Sequence, residues 1–300
     1  MHETESLASA IIIKLFEQMP GNIQIQKASG DIQDFSEQKL GNFLRRIKVP
    51  DQDVDRIVTT ITAELADYVP IGKLREIVVD HLQKLPQGEL FVARYMLKSA
   101  MRRLGPAGHL FEHYAARLFQ ADGYTDVHTS VMIQGECTMH EVDIVATKNG
   151  EHHIAECKFH NQDGTKSDVT VALYSYARFL DVKDTNSLGF KVDKCWIITN
   201  TKLTQDAVNY AACKGMPIIS MEHPMNTAIL DRVVEEGLFP LASAPLSDQD
   251  LSALHDNDFV MLSDVLKESA LDIAARSNVQ QDVISNAQAF ARRILNVDNE

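Results

Sequence analysis

Three charged residues in the middle of the chain are spaced so that they could share one reaction. Asp143 lies in one predicted strand, and Glu156 and Lys158 lie in the next, after the residues Asn149 and Gly150 that are typical of a tight hairpin turn. Residues two apart in a strand point to the same face, so Glu156 and Lys158 share a face and the hairpin can bring Asp143 beside them. Two converging carboxylates can hold a divalent cation such as Mg²⁺ or Mn²⁺.

A cation held there would polarise a phosphodiester and lower the pKa of a bound water. The adjacent Lys158 could orient the water or stabilise charge on the phosphorus centre. Ile154 and Ala155 precede Glu156 and predict a buried strand, where charged side chains need a specific reason to be present. The alternative is a solvated strand edge with a surface ion pair, which is the commoner meaning of an isolated acid–acid–lysine pattern.

The elements that must position these residues follow a glycine-rich break at residues 105–108. The patterns predict, in order, a helix, three strands, a helix, a strand, a helix and a strand, at about 109–120, after Tyr124, around Val142 to Ile144, 152–158, 169–182, 195–198, 204–214 and 217–220. This order predicts an α/β domain over 105–222.

The segment from about 105 to 221 resembles the Mrr-like branch of the PD-(D/E)xK nuclease superfamily. The resemblance is carried by Gly108 to Glu112, Gly123 and Tyr124, Glu141 to Ile144, and Glu156 to Lys158. Val142 stands where a proline is usual. The resemblance implies an αβββαβ core with a central mixed sheet, metal ligation by Asp143 and Glu156, catalysis by Lys158 and a supporting carboxylate at Glu112.

Neighbouring residues keep a second interpretation open. Glu112 borders the apolar stripe of its helix and could be a plain solvated residue, and Arg178 could reach DNA phosphate or pair with Asp181. His160 and Asn161 could contact phosphate or order a loop. Three further histidines are predicted to lie on strand surfaces and not to ligate metal, because no zinc-like ligand spacing accompanies them: His140, His152 and His153.

The N-terminal part of the chain, 22–104, is predicted to be a small α+β domain. A hairpin over about 23–35 is followed by helices at about 36–47, 50–65, 71–84 and 88–103. The runs Ile25 to Gly30, Phe35 to Leu40 and Ala93 to Tyr95 resemble the ATP-cone, a regulatory nucleotide-binding domain. That resemblance implies ATP or dATP contacts by Lys27 and Lys39, with Ala28 in place of a frequent basic residue. The alternative is a small helical domain that has lost its ligand, with Lys27 and Lys39 as surface charges. Arg45 and Arg46 are further candidates for phosphate contact, or lie on a solvated helix face.

The remaining segments carry no recognisable chemistry. Residues 1–21 are predicted to be a leader helix without a secretion or membrane signal, and 223–300 a helical C-terminal module. Within the net charge of −13, residues 241–300 contribute four basic and ten acidic residues, which disfavours phosphate binding by that module. It is expected to serve in oligomerisation or docking, or as a structural cap. Four cysteines without a C-x-x-C pair favour a cytoplasmic location.

Taken together, the sequence predicts a cytoplasmic, metal-dependent DNA endonuclease that ATP or dATP regulates through an N-terminal domain. Cutting both strands needs two active sites, so we expect a homodimer or a larger homo-oligomer. The alternative is a nucleotide-sensing DNA-binding or regulatory protein whose nuclease core no longer cuts. The presence together of Asp143, Glu156 and Lys158 favours the enzyme.

Overall fold

The computed structural model describes residues 23–27, 30–105, 108–162 and 164–297, so the predicted leader helix over 1–21 lies outside the described residues. The chain divides into two compact units, the first ending at Gly88 and the second beginning at Glu89. None of the helices in these ranges is long and apolar enough to cross a membrane.

The first unit combines a small mixed sheet with helices. Strand β1 (Gln24–Gln26) pairs antiparallel with β2 (Ile32–Asp34) and parallel with β3 (Tyr68–Pro70). The three helices that lie wholly within the unit are α1 (Glu37–Arg46), α2 (Asp51–Glu64) and α3 (Ile71–Gln83). The α+β character that the sequence predicts is present, and β3 is a strand that the sequence did not predict.

Local sequence explains how these helices begin and pack. The Ser36 hydroxyl accepts a hydrogen bond from the Lys39 backbone N–H at 3.2 Å, which satisfies a free donor at the start of α1. On α2, Val54, Ile57, Val58 and Ile61 recur at helical spacing and are buried. A Cβ added at Gly41 of α1 would meet Val54 of α2 at 3.6 Å, an ordinary van der Waals distance, so the two helices are in contact there.

The second unit begins with two short helices, which are separated at Met96. The sequence had predicted a single helix over 88–103. The helices that follow the interrupted pair flank a five-stranded sheet. The unit contains α4 (Gly88–Tyr95), α5 (Leu97–Arg102), α6 (His109–Ala121), β4 (Thr125–Gln134), β5 (Met139–Lys148), β6 (Glu151–Lys158), β7 (Lys166–Ser167), α7 (Val169–Val182), β8 (Lys194–Thr199), β9 (Lys202–Leu203), α8 (Gln205–Lys214) and β10 (Ile218–Ile219).

The five-stranded sheet is mixed, as the sequence predicts, with the strand order β10-β8-β6-β5-β4. Strands β4, β5 and β6 are antiparallel neighbours, and β6, β8 and β10 run parallel. A separate two-stranded parallel sheet joins β7 to β9. The sequence did not predict that small sheet, since no element was predicted between 158 and 169.

Helices cover both faces of the large sheet. Ile154 of β6 and Ile197 of β8 are buried in one cluster with Ala172 of α7. Trp196 points to the opposite face, because side chains alternate along a strand. There its ring packs against Phe119 of α6, with 5.5 Å between the ring centroids.

The C-terminal part is helical, as the sequence predicts, and packs on the same unit. It contains α9 (Ile229–Glu236), α10 (Asp248–His255), α11 (Ala270–Ser277) and α12 (Gln281–Leu295), with short 3₁₀ turns at Leu241–Ser243 and Leu262–Leu266. Asn278 ends α11 with a φ of 58°, a left-handed conformation that asparagine tolerates in place of glycine. The Tyr114 hydroxyl of α6 donates to the Leu238 carbonyl at 2.8 Å, which fixes this part to the sheet domain.

Candidate active site

The β5–β6 hairpin sets the positions of the two predicted metal ligands. Its register pairs Ile144 with Ala155, so Asp143 and Glu156 are the next residues along their strands. Glu156 lies two residues after Ile154, and side chains alternate along a strand, so its carboxyl is on the face that α7 covers. We refer to Asp143 and Glu156 as the carboxylate pair.

The Asp143 carboxylate is held by the backbone of the neighbouring strand. The Cys157 N–H donates to Asp143 Oδ2 at 2.6 Å. Burial raises the pKa of Asp143, against the opposing effects of the Cys157 N–H and of the positive charge on Arg178. The hydrogen bond therefore partly offsets the cost of keeping a carboxylate away from water.

Glu156 is held from the helix side by Arg178 of α7. Arg178 Nη1 donates to Glu156 Oε2 at 2.5 Å, and the two side chains are only 11% and 17% exposed. Burial, followed by the negative charge of Asp143, raises the pKa of Glu156 to about 7. Arg178 thus pairs with Glu156. The sequence had offered pairing with Asp181 as one of two roles for Arg178, and the described residues do not show that pairing.

Glu112 reaches the same region from α6. Burial and then the charge of Asp143 raise the pKa of Glu112 to about 7, while the Ser130 hydroxyl donates to its Oε2 at 3.3 Å. The structure therefore brings Glu112 within electrostatic range of the carboxylate pair, as a supporting carboxylate would require.

Lys158 ends β6 at the edge of this group. Its side chain is exposed, and its positive charge acts to lower the pKa values of Asp143 and Glu156. In the parallel pairing of β6 with β8, Lys158 lies beside Thr199. The described site therefore combines three acidic side chains with two basic ones: Glu112 from α6, Asp143 from β5, Glu156 and Lys158 from β6, and Arg178 from α7.

A buried polar network fixes the chain just after Lys158. The Asn200 side chain accepts from the His160 N–H at 2.9 Å and donates to the His160 carbonyl at 2.8 Å. The His160 ring contacts the Ser167 hydroxyl at 3.1 Å, and that hydroxyl lies 3.1 Å from Thr199 Oγ1. The sequence predicted that His160 either contacts phosphate or orders a loop. These hydrogen bonds favour the second role.

The donor set of the carboxylate pair fits a hard divalent cation. Among the described residues, no three His, Cys, Asp or Glu side chains are grouped so as to hold a metal ion. Magnesium, however, is commonly held by one or two carboxylates together with water and substrate phosphates. In the described part of the chain, Asp143 and Glu156 each keep one carboxylate oxygen without a hydrogen bond.

The other predicted histidines contribute to structure. His153 was predicted to lie on the strand surface, which is wrong, because it is 4% exposed and its Nδ1 accepts from Trp196 Nε1 at 3.1 Å. His152 stacks on Phe190, and His140 contacts Asp181 at 2.7 Å.

In the first unit, Lys27 and Lys39 are both exposed. Lys27 follows β1 at the turn end of the hairpin, and Lys39 lies in the first turn of α1, which begins after the other end of that hairpin. Arg45 of α1 forms ion pairs with Asp51 at 3.0 Å and with Asp55 at 2.6 Å, and both of these acids lie on α2.

A mixed sheet flanked by helices, with acids on two adjacent antiparallel strands and a lysine two residues after the second acid, is consistent with a restriction-endonuclease-like fold. The model of the family Mrr_cat, described as restriction endonuclease, matches residues 106–223. This segment is therefore a restriction endonuclease domain of that family.

Proteins of unassigned function are similar to more than half of the chain. An uncharacterized protein of Archaeoglobus fulgidus is 33% identical over 176 residues, which are 58% of this chain and 97% of that protein. The crystal structure of a protein of unknown function, AF1548, is 29% identical, with a TM-score of 0.54 over 63% of this chain and 99% of that chain. The chain belongs to the same family as the archaeal protein.

Proposed function

We propose that the protein is a metal-dependent DNA endonuclease that hydrolyses phosphodiester bonds. The observation that carries the proposal is the carboxylate pair inside the restriction endonuclease domain, with one oxygen of each acid without a hydrogen bond and Lys158 exposed beside them. Hard oxygen ligands of this kind suit Mg²⁺ or Mn²⁺. When bound, the cation would polarise the scissile phosphate and activate a water.

Each protein group then has a defined role. Asp143 and Glu156 would hold the metal, and the Cys157 N–H and Arg178 fix the two carboxylates in turn. Lys158 carries a positive charge at the strand end, where it can orient the attacking water or stabilise charge on the phosphate. Glu112 supports the site as a third carboxylate.

We further propose that ATP or dATP regulates cleavage by binding the first unit as an ATP-cone would, with phosphate contacts from Lys27 and Lys39. Both lysines are exposed, which supports this assignment. Lys39 also lies in the first turn of α1, where backbone N–H groups favour an anion. A homodimer or larger oligomer would supply the two active sites that a double-strand cut requires.

The proposal is tested with purified full-length protein and plasmid DNA, with Mg²⁺, Mn²⁺ or EDTA, beside Asp143→Ala and Lys158→Ala. We expect nicked and linear products with either metal and none with EDTA, and loss of cleavage in both variants. Equal cleavage by the variants would contradict the site, and no cleavage under any condition would favour a regulatory protein with a silent nuclease core.

A further inference from the structure

Two lysines lie side by side on the small sheet next to the candidate active site. Strands β7 and β9 pair in parallel with Lys166 opposite Lys202. Neighbouring strands are about 4.8 Å apart, and residues that are partners across a ladder point to the same face. We call Lys166 and Lys202 the lysine pair.

The fold fixes the direction in which the lysine pair points. Ser167, the next residue of β7, is 1% exposed, and Leu203, the next residue of β9, packs against the core. Because side chains alternate along a strand, Lys166 and Lys202 are directed outward, and both are exposed. The Thr204 N–H donates to the Ser167 carbonyl at 2.9 Å and helps hold the two strands together.

The like charges of the lysine pair repel each other, because a directly opposed pair of equal charges is unfavourable on a sheet. In the described part of the chain, Glu222 contacts Lys202 at 2.9 Å, whereas no acid contacts Lys166. Lys166 therefore keeps an ammonium group that no described acid contacts, on a chain whose net charge is −13.

The lysine pair is joined to the catalytic strand end by buried contacts. Lys158 lies beside Thr199 in the β6–β8 pairing, and Thr199 Oγ1 lies 3.1 Å from the hydroxyl of Ser167, the neighbour of Lys166. The small sheet is therefore anchored by hydrogen bonds to the strand end that carries Lys158.

We propose that the lysine pair binds backbone phosphates of the DNA strand next to the phosphate that is cut. This inference rests on the proposed nuclease function and assigns part of its substrate-binding surface. Two adjacent ammonium groups on a rigid support neutralise phosphates without reading base sequence, so they contribute affinity and register and not sequence preference.

The test measures binding of the full chain to a fluorescent DNA duplex by anisotropy, in EDTA to prevent cleavage, over a series of NaCl concentrations. Each phosphate contact contributes about 0.9 to the slope of log K against log salt. The variants Lys166→Gln and Lys202→Gln are each expected to lower that slope by about one and to weaken binding about tenfold near 0.1 M salt.

Two further variants serve as controls. Lys191→Gln removes the same charge from an exposed lysine that pairs with Asp184, and it is expected to leave the slope unchanged. Glu222→Gln releases Lys202 from its partner and is expected to tighten binding. Circular dichroism melting checks that every variant is folded.

A double variant, Lys166→Gln with Lys202→Gln, that binds with the wild-type slope and affinity would overturn the inference. Cleavage of plasmid DNA by that variant at the wild-type rate would leave the nuclease proposal intact. Absence of both binding and cleavage in the wild-type protein would instead overturn the nuclease proposal and this inference with it.

Discussion

At the scale of single residues, the carboxylate pair shows how like charges are kept together in a partly buried site. Burial raises the pKa of Asp143, and burial followed by the negative charge of Asp143 raises the pKa of Glu156. The Cys157 N–H and the Arg178 guanidinium oppose that effect by donating to one oxygen of each acid. The site therefore depends on Arg178, whose pairing with Glu156 the sequence did not predict.

Replacing Arg178 alone should destabilise the folded protein. Arg178→Gln leaves Glu156 mostly buried without its cation, and we expect the free energy of unfolding to fall by about 1–3 kcal/mol. The double variant Arg178→Gln with Glu156→Gln should lose less than the sum of the two single losses, since no unpaired charge remains. Urea unfolding of the four proteins measures this coupling.

Tyr174→Phe is the matched control for Arg178→Gln, because it removes only the hydroxyl that contacts Arg178. We expect its stability to stay within about 0.5 kcal/mol of wild type. Additive losses in the double variant would show that the Arg178–Glu156 contact contributes nothing specific.

His255 predicts a pH dependence of stability. It is 7% exposed, no described residue forms a hydrogen bond with its Nε2, and burial lowers its pKa to about 4. Above about pH 6.5 the imidazole is neutral in both the folded and the unfolded chain. Between about pH 6.5 and pH 4 the unfolded chain binds a proton that the folded one does not, so stability falls by up to about 3 kcal/mol.

Urea unfolding of His255→Leu across the same pH range tests this assignment. The variant should lose less stability than the wild type as the pH is lowered, because leucine binds no proton. Parallel pH profiles for the two proteins would rule out His255 as the source of the dependence.

Much of the residue-scale account could be read from the sequence, and part of it could not. The Asn149–Gly150 turn and the spacing of Glu156 and Lys158 define a strand pair, and this predicts the convergence with Asp143. The partner of Arg178 could not be predicted, because it depends on how α7 packs on the sheet. The burial of His153 beneath Trp196 could not be predicted either, because it depends on how α6 packs on the other face of the sheet.

At the scale of elements, α7 is tied at its far end to the turn between β4 and β5. The Asp181 carboxylate accepts from the Cys137 N–H at 2.9 Å and from His140 at 2.7 Å. The His140 hydrogen bond, followed by the Cys137 N–H, lowers the pKa of Asp181 to about 2. Asp181 therefore helps set the position of the helix that carries Arg178.

Gly135 makes this contact possible. A Cβ at residue 135 would lie 2.0 Å from Asp181 Oδ2 and 2.8 Å from the Thr138 carbonyl, so Gly135→Ala must displace Asp181 or the turn. We expect the variant to lose about 1–3 kcal/mol of stability. Thermal unfolding followed by circular dichroism measures the loss.

Gly72→Ala offers the opposite expectation for the same chemical change. Gly72 lies within α3, and a Cβ there would meet nothing within 4 Å. Alanine should stabilise that helix by about 0.5–1 kcal/mol. A Gly135→Ala protein as stable as Gly72→Ala would show that the Asp181 contact does not constrain the turn.

The long elements were predictable, whereas the short ones were not. Strands β5 and β6 have alternating patterns and a recognisable turn, but β7 and β9 contain two residues each, too few to show a period. Strand β3 contains Pro70, and a proline argues against a strand unless the strand lies at the edge of a sheet. In the structure β3 is an edge strand of the three-stranded sheet.

At the scale of the whole molecule, nearly half of the net negative charge lies in a segment outside the candidate site. Residues 241–300 carry six of the thirteen excess negative charges. This part of the chain packs on the restriction endonuclease domain with the help of half-buried ion pairs, for example between Arg117 and Asp264. This packing favours the structural role for the C-terminal module that was one of its predicted roles.

The proposed nucleotide regulation gives a prediction for the full chain. Isothermal titration calorimetry with ATP should show binding that Lys27→Ala and Lys39→Ala weaken at least tenfold, because each removes a proposed phosphate contact. Lys73→Ala, at an exposed lysine paired with Glu76, is the matched control and should bind as wild type. No heat with the wild-type protein would contradict an ATP-cone in the first unit.

The central claim is that Asp143 and Glu156 make this chain a metal-dependent nuclease. It is tested most directly by the rate of Mg²⁺-dependent plasmid cleavage for wild type, Asp143→Asn and Asp184→Asn, the last being an exposed acid of the same domain. We predict that Asp184→Asn cuts at the wild-type rate and that Asp143→Asn is slower by at least about a thousandfold, since metal activation of the water is lost. Equal rates for the two variants would contradict the account.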